Sequence, residues 1–377
     1  MGKYSTKISS IIWMFFIMVL VMGITFQSKS VEAQPFVYLA GDGSESVCII
    51  DTVSNMVVDS IGVGNGPFAI AITPGGSRAY VAQTGPNNVL VIDTATNMVV
   101  GPPIGVGGSP FCIAITPDGS RAYVTNFGSG DVSVIDTVSN MVVDSIGVGG
   151  SPYGIAITPD GLTAYVAHFD SDDNISVIDL VMNGVIGTPI EVGTKPIGIA
   201  ITPDGSRAYV TNFGSGDVSV IDTATDIVVD TIDVGDNPGG IAITPDGSSA
   251  YVANLDSGDV SVIDTATNMV VGAPIVLGGG DFSPNGIAIT PDGSSAYVAV
   301  EGGGVFEIDT ATNMVVDPGG LPVGTGGVCG IAITPSSLTP PPGDSLPPPP
   351  GEDGNGSSSN SCSLAASGTN NSSILIL

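Results

Sequence analysis

The pentapeptide Ile-Ala-Ile-Thr-Pro begins at Ile70, Ile113, Ile155, Ile199, Ile241, Ile287 and Ile331, at spacings of 43, 42, 44, 42, 46 and 44 residues. A period of this length means that one supersecondary unit is repeated and that neighbouring units bury each other's apolar faces. In the unit that starts at Gly198, residues 198–202, 208–212, 218–222 and 227–234 are short, rich in β-branched residues and of period two, with Gly, Pro, Asp or Asn between them. That pattern reads as four strands, because a helical solenoid would need apolar residues at a spacing of 3.6. Pro203-Asp204-Gly205 makes the first turn, Pro presetting φ and Gly accepting φ > 0. Asp222-Thr223-Ala224-Thr225 makes a second, its side chains able to bond nearby backbone N–H groups.

Four antiparallel strands in about 43 residues describe the blade of a propeller. Six full units run from 68 to 328; only three strands precede them (36–62), and only a first strand follows. The expected fold is therefore all-β, a seven-bladed β-propeller of four-stranded antiparallel blades. It is closed by the C-terminal strand (330–335) joining the three N-terminal strands (36–62), which removes the open sheet edges.

Tyr123-Val124-Thr125-Asn126 and Tyr209-Val210-Thr211-Asn212 each follow Ile-Ala-Ile-Thr-Pro-Asp-Gly and precede Val-Ile-Asp-Thr. Looser versions stand at Tyr80, Tyr165, Tyr251 and Tyr297. These motifs resemble the YVTN-repeat family of surface β-propellers. The resemblance implies an extracellular or surface-layer protein with an adhesive or scaffolding role, although fold alone does not fix function.

Gly and Pro together exceed a fifth of the chain, a level that raises the question of disorder, but a hydrophobic content of 42% answers it. Many turns between short apolar strands satisfy both. The formal net charge is −29, and beyond the first 33 residues four basic residues face 35 acidic ones. Such a surface repels phosphate backbones and anionic lipid, which argues against a nucleic-acid partner. It attracts cations. Lys3 and Lys7, an apolar run from Ile11 to Phe26 and Val31-Glu32-Ala33 read as a signal peptide over 1–33, cleaved before Gln34, with an uncleaved anchor as the alternative. The expected location is secreted or cell-surface, with the periplasm as a further alternative. The propeller spans 34–335, a Pro/Gly/Ser-rich linker 336–360 and a low-complexity tail 361–377. Cys362 among small residues, before Ile374-Leu375-Ile376-Leu377, resembles a truncated sorting signal, which would make it the processed or lipidated residue and anchor the propeller to the envelope. A disordered tail is the competing reading.

Strand alternation puts the first-to-second and third-to-fourth loops on one face, and the second-to-third and blade-to-blade loops on the other. The first face is uniform: Thr-Pro-Asp-Gly recurs in five units and Asp-Thr in six, so these aspartates serve the blade rather than catalysis. The second face varies, as a recognition surface on a fixed scaffold does, with relaxed drift as the alternative. Phe127, Phe169 and Phe213 share one repeat position there, with Leu255 at the same place and His168 just before Phe169. Phe68, Phe111 and Tyr153 open their first strands and should ring the channel mouth. The phenylalanines either form an apolar arc for a protein or glycan or cover their own blade edges. His168 replaces Asn126 and Asn212 at its repeat position and reads as a partly exposed substitution.

Asp170, Asp172 and Asn174 resemble the start of a calcium loop, but Ile175 and Val181 stand where such a loop needs Gly and Glu, so a solvated acidic loop competes. Ca2+ is accordingly the candidate ion, and no other cofactor is expected. Met56, Met98, Met141, Met269 and Met314, one per blade, are too far apart to share copper and read as packing. Cys48, Cys112 and Cys329 fall on strands separated by a blade or by two strand widths, which predicts unpaired, mostly buried thiols. One His, three Arg, one Lys and few Glu supply no convergent acid–base set. The expectation is a non-enzymatic surface propeller that binds protein or glycan, or builds a surface layer, through its variable face. A lactonase- or lyase-like enzyme with a divalent metal and a periplasmic redox partner are the alternatives.

Overall fold

A computed structural model describes residues 35–41, 43, 45–169, 173–278, 282–323 and 328–336, the side chains of 328 and 329 excepted. The leader, the linker, the tail and Cys362 lie outside the described residues. The structure is an all-β, seven-bladed β-propeller with no helix among the described residues.

Each blade is antiparallel, and its first strand is innermost. The first strands open on Pro67, Pro110, Pro152, Pro196, Pro238 and Pro284 in the six blades that are continuous in sequence. The seventh sheet joins Val328–Ile333 to Phe36–Gly41, Ser46–Asp51 and Met56–Gly62. Val37 pairs with Ile333 and Leu39 with Ile331. Phe36 N–H donates to Thr334 Oγ1 at 2.7 Å, and Thr334 N–H returns a bond to Phe36 O at 2.9 Å. Ring closure by the two ends is thus a ladder of backbone bonds.

Second and third strands are buried on both faces, which is why they read as near-continuous apolar runs such as Ala122–Thr125 and Val132–Ile135. Facing blades share seven separate apolar clusters, each built from two neighbouring sheets. Fourth strands are continuous where no Pro interrupts (Met141–Gly147, Ile227–Asp233). Others split in two around Pro102-Pro103, Pro274 and Pro318, whereas Gly184–Glu191 runs through Pro189 as one strand.

The repeated tyrosine has a role its motif does not announce. Each is buried, and its hydroxyl reaches the third-to-fourth turn of the next blade. Tyr38 donates to Asn97 Oδ1 at 2.8 Å, Tyr209 to Asn268 Oδ1 at 2.7 Å and Tyr251 to Asn313 Oδ1 at 2.6 Å. Tyr165 makes the same bond to Asp226 at 2.6 Å. These turn residues hold positive φ, from 50° to 55°, a conformation that Asn and Asp tolerate better than other side chains. Asn97 and Asn268 then donate back to Asp59 and Asp230 of the preceding blade. Across the closure, Asn55 donates to Glu307 at 2.8 Å.

Two expectations are corrected. Cys48 is disulfide-bonded, so it is not a thiol. Cys112 is free, and the side chains of Cys329 and Cys362 lie outside those described. Equal strand spacing does not hold throughout this blade, whose ladder shifts register between Ala40 and Gly41. The methionines are not packed either: Met56, Met98, Met141, Met269 and Met314 are 58–67% exposed. They begin the outermost strand, over which no further layer lies.

Candidate functional site: an aromatic crescent at the channel mouth

The two faces separate as the strand order demands. On the uniform face, Thr116 Oγ1 donates to Asp118 at 2.6 Å and Ser120 N–H to the same carboxylate at 2.9 Å, and the pattern recurs at Asp204, Asp246 and Asp292. These bonds hold the carboxyls below their ordinary range, the threonine bond first. Arg78 is also structural, donating to Thr137 O of the next blade at 2.9 Å.

On the variable face, each second-to-third loop is tied to the connection that enters its blade. Phe127 N–H donates to Ser109 O at 2.9 Å, Phe169 to Ser151 O at 3.1 Å, Phe213 to Lys195 O at 3.0 Å and Leu255 to Asn237 O at 3.0 Å. The backbone is therefore fixed while the side chain varies. All four side chains are half-buried. The structure brings the phenylalanines together with the ring at the channel mouth. Phe68 and Phe111 lie 4.4 Å apart between centroids, Phe111 and Tyr153 4.9 Å, and Phe111 and Phe127 5.0 Å. Tyr153 meets Phe169 at 5.7 Å, and Phe169 meets Phe213 at 6.2 Å. Six rings on four successive blades form one unbroken crescent, all within the range of favourable aromatic contact. Each ring packs on a neighbouring ring and remains partly exposed.

Beneath the crescent, the first strands of all seven blades enclose an apolar cavity of about 200 Å³ along the axis. Its mouth is lopsided: Phe68, Phe111, Tyr153 and Ile197 stand on one side, Gly239 and Asn285 on the other. Convergence of the strands explains the small residues below. A Cβ on Gly198 would stand 2.5 Å from Gly239 O, and one on Gly240 2.6 Å from Asn285 O. Cys112 lines the wall, and desolvation pushes its thiol pKa up, away from reactivity.

His168 departs from its expected exposure. It is 2% exposed, and its Nε2 lies 2.8 Å from Ser176 Oγ. Asn126 and Asn212 bond Ser133 and Ser219 from the same position, so His168 makes the same strand-to-strand bond beside Phe169. Asp170 and Asp172 lie outside the described residues, and Asn174 starts a third strand opposite Glu191. Among the described residues, no cluster of three or more His, Cys, Asp or Glu could hold a metal ion.

Sequence reasoning missed the charged residues of this face. Lys195 Nζ lies 5.5 Å from the Phe169 centroid. Glu301 holds the repeat position of Phe127, and its carboxyl is pushed up by burial and then by Asp256. The signal was present in the repeat alignment, which puts Glu301 in register with the phenylalanines.

Comparison with known proteins agrees with this architecture. Residues 33–162 match the model of the YNCE-like beta-propeller family. A chain of Kuenenia stuttgartiensis hydrazine synthase is 31% identical, with a TM-score of 0.60, over 65% of this chain and 77% of that one. The chain belongs to the same β-propeller family as that hydrazine synthase chain. A functionally unknown protein from Desulfotomaculum acetoxidans DSM 771 (TM-score 0.68, 19% identity, 80% of this chain and 99% of that one) shares the fold. So does the dihydro-heme d1 dehydrogenase NirN in complex with DHE (0.60, 15%, 82% and 76%). No curated protein matches the chain.

Proposed function

We propose that this propeller is a non-enzymatic, extracellular binding module that engages a partner at the cell surface through the aromatic crescent. The observation that carries the reading is the unbroken contact chain of half-exposed rings from Phe68 to Phe213 on the variable face. Aromatic side chains give large contact area at low entropic cost, and concentrate where proteins bind partners. An acid–base catalytic site would instead gather His, Glu and Arg around the cavity, and the lining here is Phe, Tyr, Ile, Gly, Ala, Cys and Asn.

Crosslinking the protein on intact cells, beside a Phe127/Phe169/Phe213→Ala variant of equal melting temperature, tests the reading. Specific adducts of the unaltered protein should disappear with the variant. Adducts that persist unchanged would refute it. A second reading, a propeller chain within an enzyme assembly, draws on the 31% identity to the hydrazine synthase chain. It expects co-purification with a catalytic partner instead of surface adducts.

A further inference from the structure

The crescent already receives a cation from its own chain. Lys195 Nζ stands 5.5 Å from the centre of the Phe169 ring, within the distance at which the ring's negative face attracts ammonium. Lys195 is the one Lys or Arg on this face among the described residues; Arg78, Arg121 and Arg207 follow the first-to-second turns on the other. Where the rings stop, acids continue the same face. Glu301 takes the phenylalanine position on its blade, Asp256 follows Leu255, and Asp236 precedes Asn237 in the blade-to-blade connection. Asn237 Nδ2 holds Asp256 in place. Asp256 and Glu301 stand near enough to repel, a cost that a cation between them removes.

Resting on the binding reading above, we infer that the partner is a basic protein segment. One of its ammonium or guanidinium groups replaces Lys195 over Phe169, and others meet Asp236, Asp256 and Glu301. Charge complementarity selects this class: the face offers aromatic π surface and carboxylates side by side, and the one resident cation is a movable lysine side chain.

The test measures binding of the full chain to a fluorescent peptide alternating Lys and Trp, against one alternating Glu and Trp. The Lys peptide should bind and the Glu peptide should not, and raising salt from about 50 to about 500 mM should weaken binding about tenfold or more. Lys195→Asn should tighten binding about threefold, because it frees the ring face and removes a like charge. Asn suits the site, since Lys195 and Asn237 share the repeat position at φ 53° and 51°. Asp256→Asn with Glu301→Gln should weaken it about tenfold. Equal or stronger binding of the Glu peptide, or weaker binding by Lys195→Asn, overturns the inference. Failure of the Lys peptide while surface adducts still depend on Phe127, Phe169 and Phe213 removes the basic partner and leaves the crescent reading standing. Adducts that ignore the rings remove both.

Discussion

Two sets of side chains, repeated around the ring, set the pH range of the fold. The turn aspartates Asp118, Asp160, Asp204, Asp246 and Asp292 accept threonine hydroxyls and backbone N–H groups, which holds their carboxyls below the ordinary value. The unfolded chain takes up protons there near pH 4, the folded chain only at lower pH. Their stabilisation is therefore complete above about pH 4 and is lost as pH falls through the folded values. The interblade tyrosines have the opposite sign. Burial raises the pKa of Tyr38, Tyr80, Tyr123, Tyr165, Tyr209, Tyr251 and Tyr297, so their contribution is complete below about pH 10 and is lost as pH rises beyond it. Melting temperature against pH should be flat between about 5 and 9 and should fall on both sides. Tyrosinate absorbance should grow in step with alkaline unfolding; seven tyrosines titrating reversibly near pH 10 in the folded protein would contradict the latch. The sequence showed these tyrosines as a motif without showing their use. The partner lies about 60 residues ahead on the next blade, or, for Tyr297, back at Thr52 across the closure, and repeat alignment compares equivalent positions rather than touching ones.

At the scale of the strand, the seven first strands explain why a propeller tolerates so little variation near its axis. Their third positions are Ala69, Cys112, Gly154, Gly198, Gly240, Gly286 and Gly330, and most have no room for a side chain. Gly198→Ala should destabilise by about 1–3 kcal/mol, the usual cost of forcing an atom into a packed core, since its Cβ would press on the rigid carbonyl of Gly239. Cys112→Ala, at the same position two blades earlier, should change stability by less. Urea denaturation of the two variants decides; equal effects would mean that the strands spread to make room. Strand number, order and the composite blade were legible in the sequence because period two and the turn residues recur. The outer methionines were misread for a related reason: a strand pattern does not tell whether another layer covers the strand. The crescent was half legible. Phe127, Phe169 and Phe213 stood out as variation on a constant background, while Lys195 over Phe169 depends on how a long side chain lies across a neighbouring loop.

For the whole molecule, closure is the contact that the two ends alone can make. Deleting 330–335 should lower the melting temperature far more than deleting 336–377, because it strips Phe36–Gly41 of its ladder to Ile331 and Ile333 and of the Thr334 bonds. Scanning calorimetry of the two truncations checks this, and equal losses would show that the ladder contributes little. The same topology has a consequence for synthesis. Six blades can form one after another as the chain leaves the ribosome, but Phe36–Gly41, the first of the described strands to be made, waits for Val328–Ile333, the last of them. Throughout that interval the nascent chain carries an unpaired strand edge that any other extended segment could capture. A holdase that masks this edge should raise the yield of full-length chain and do little for a circular permutant that begins at Val328.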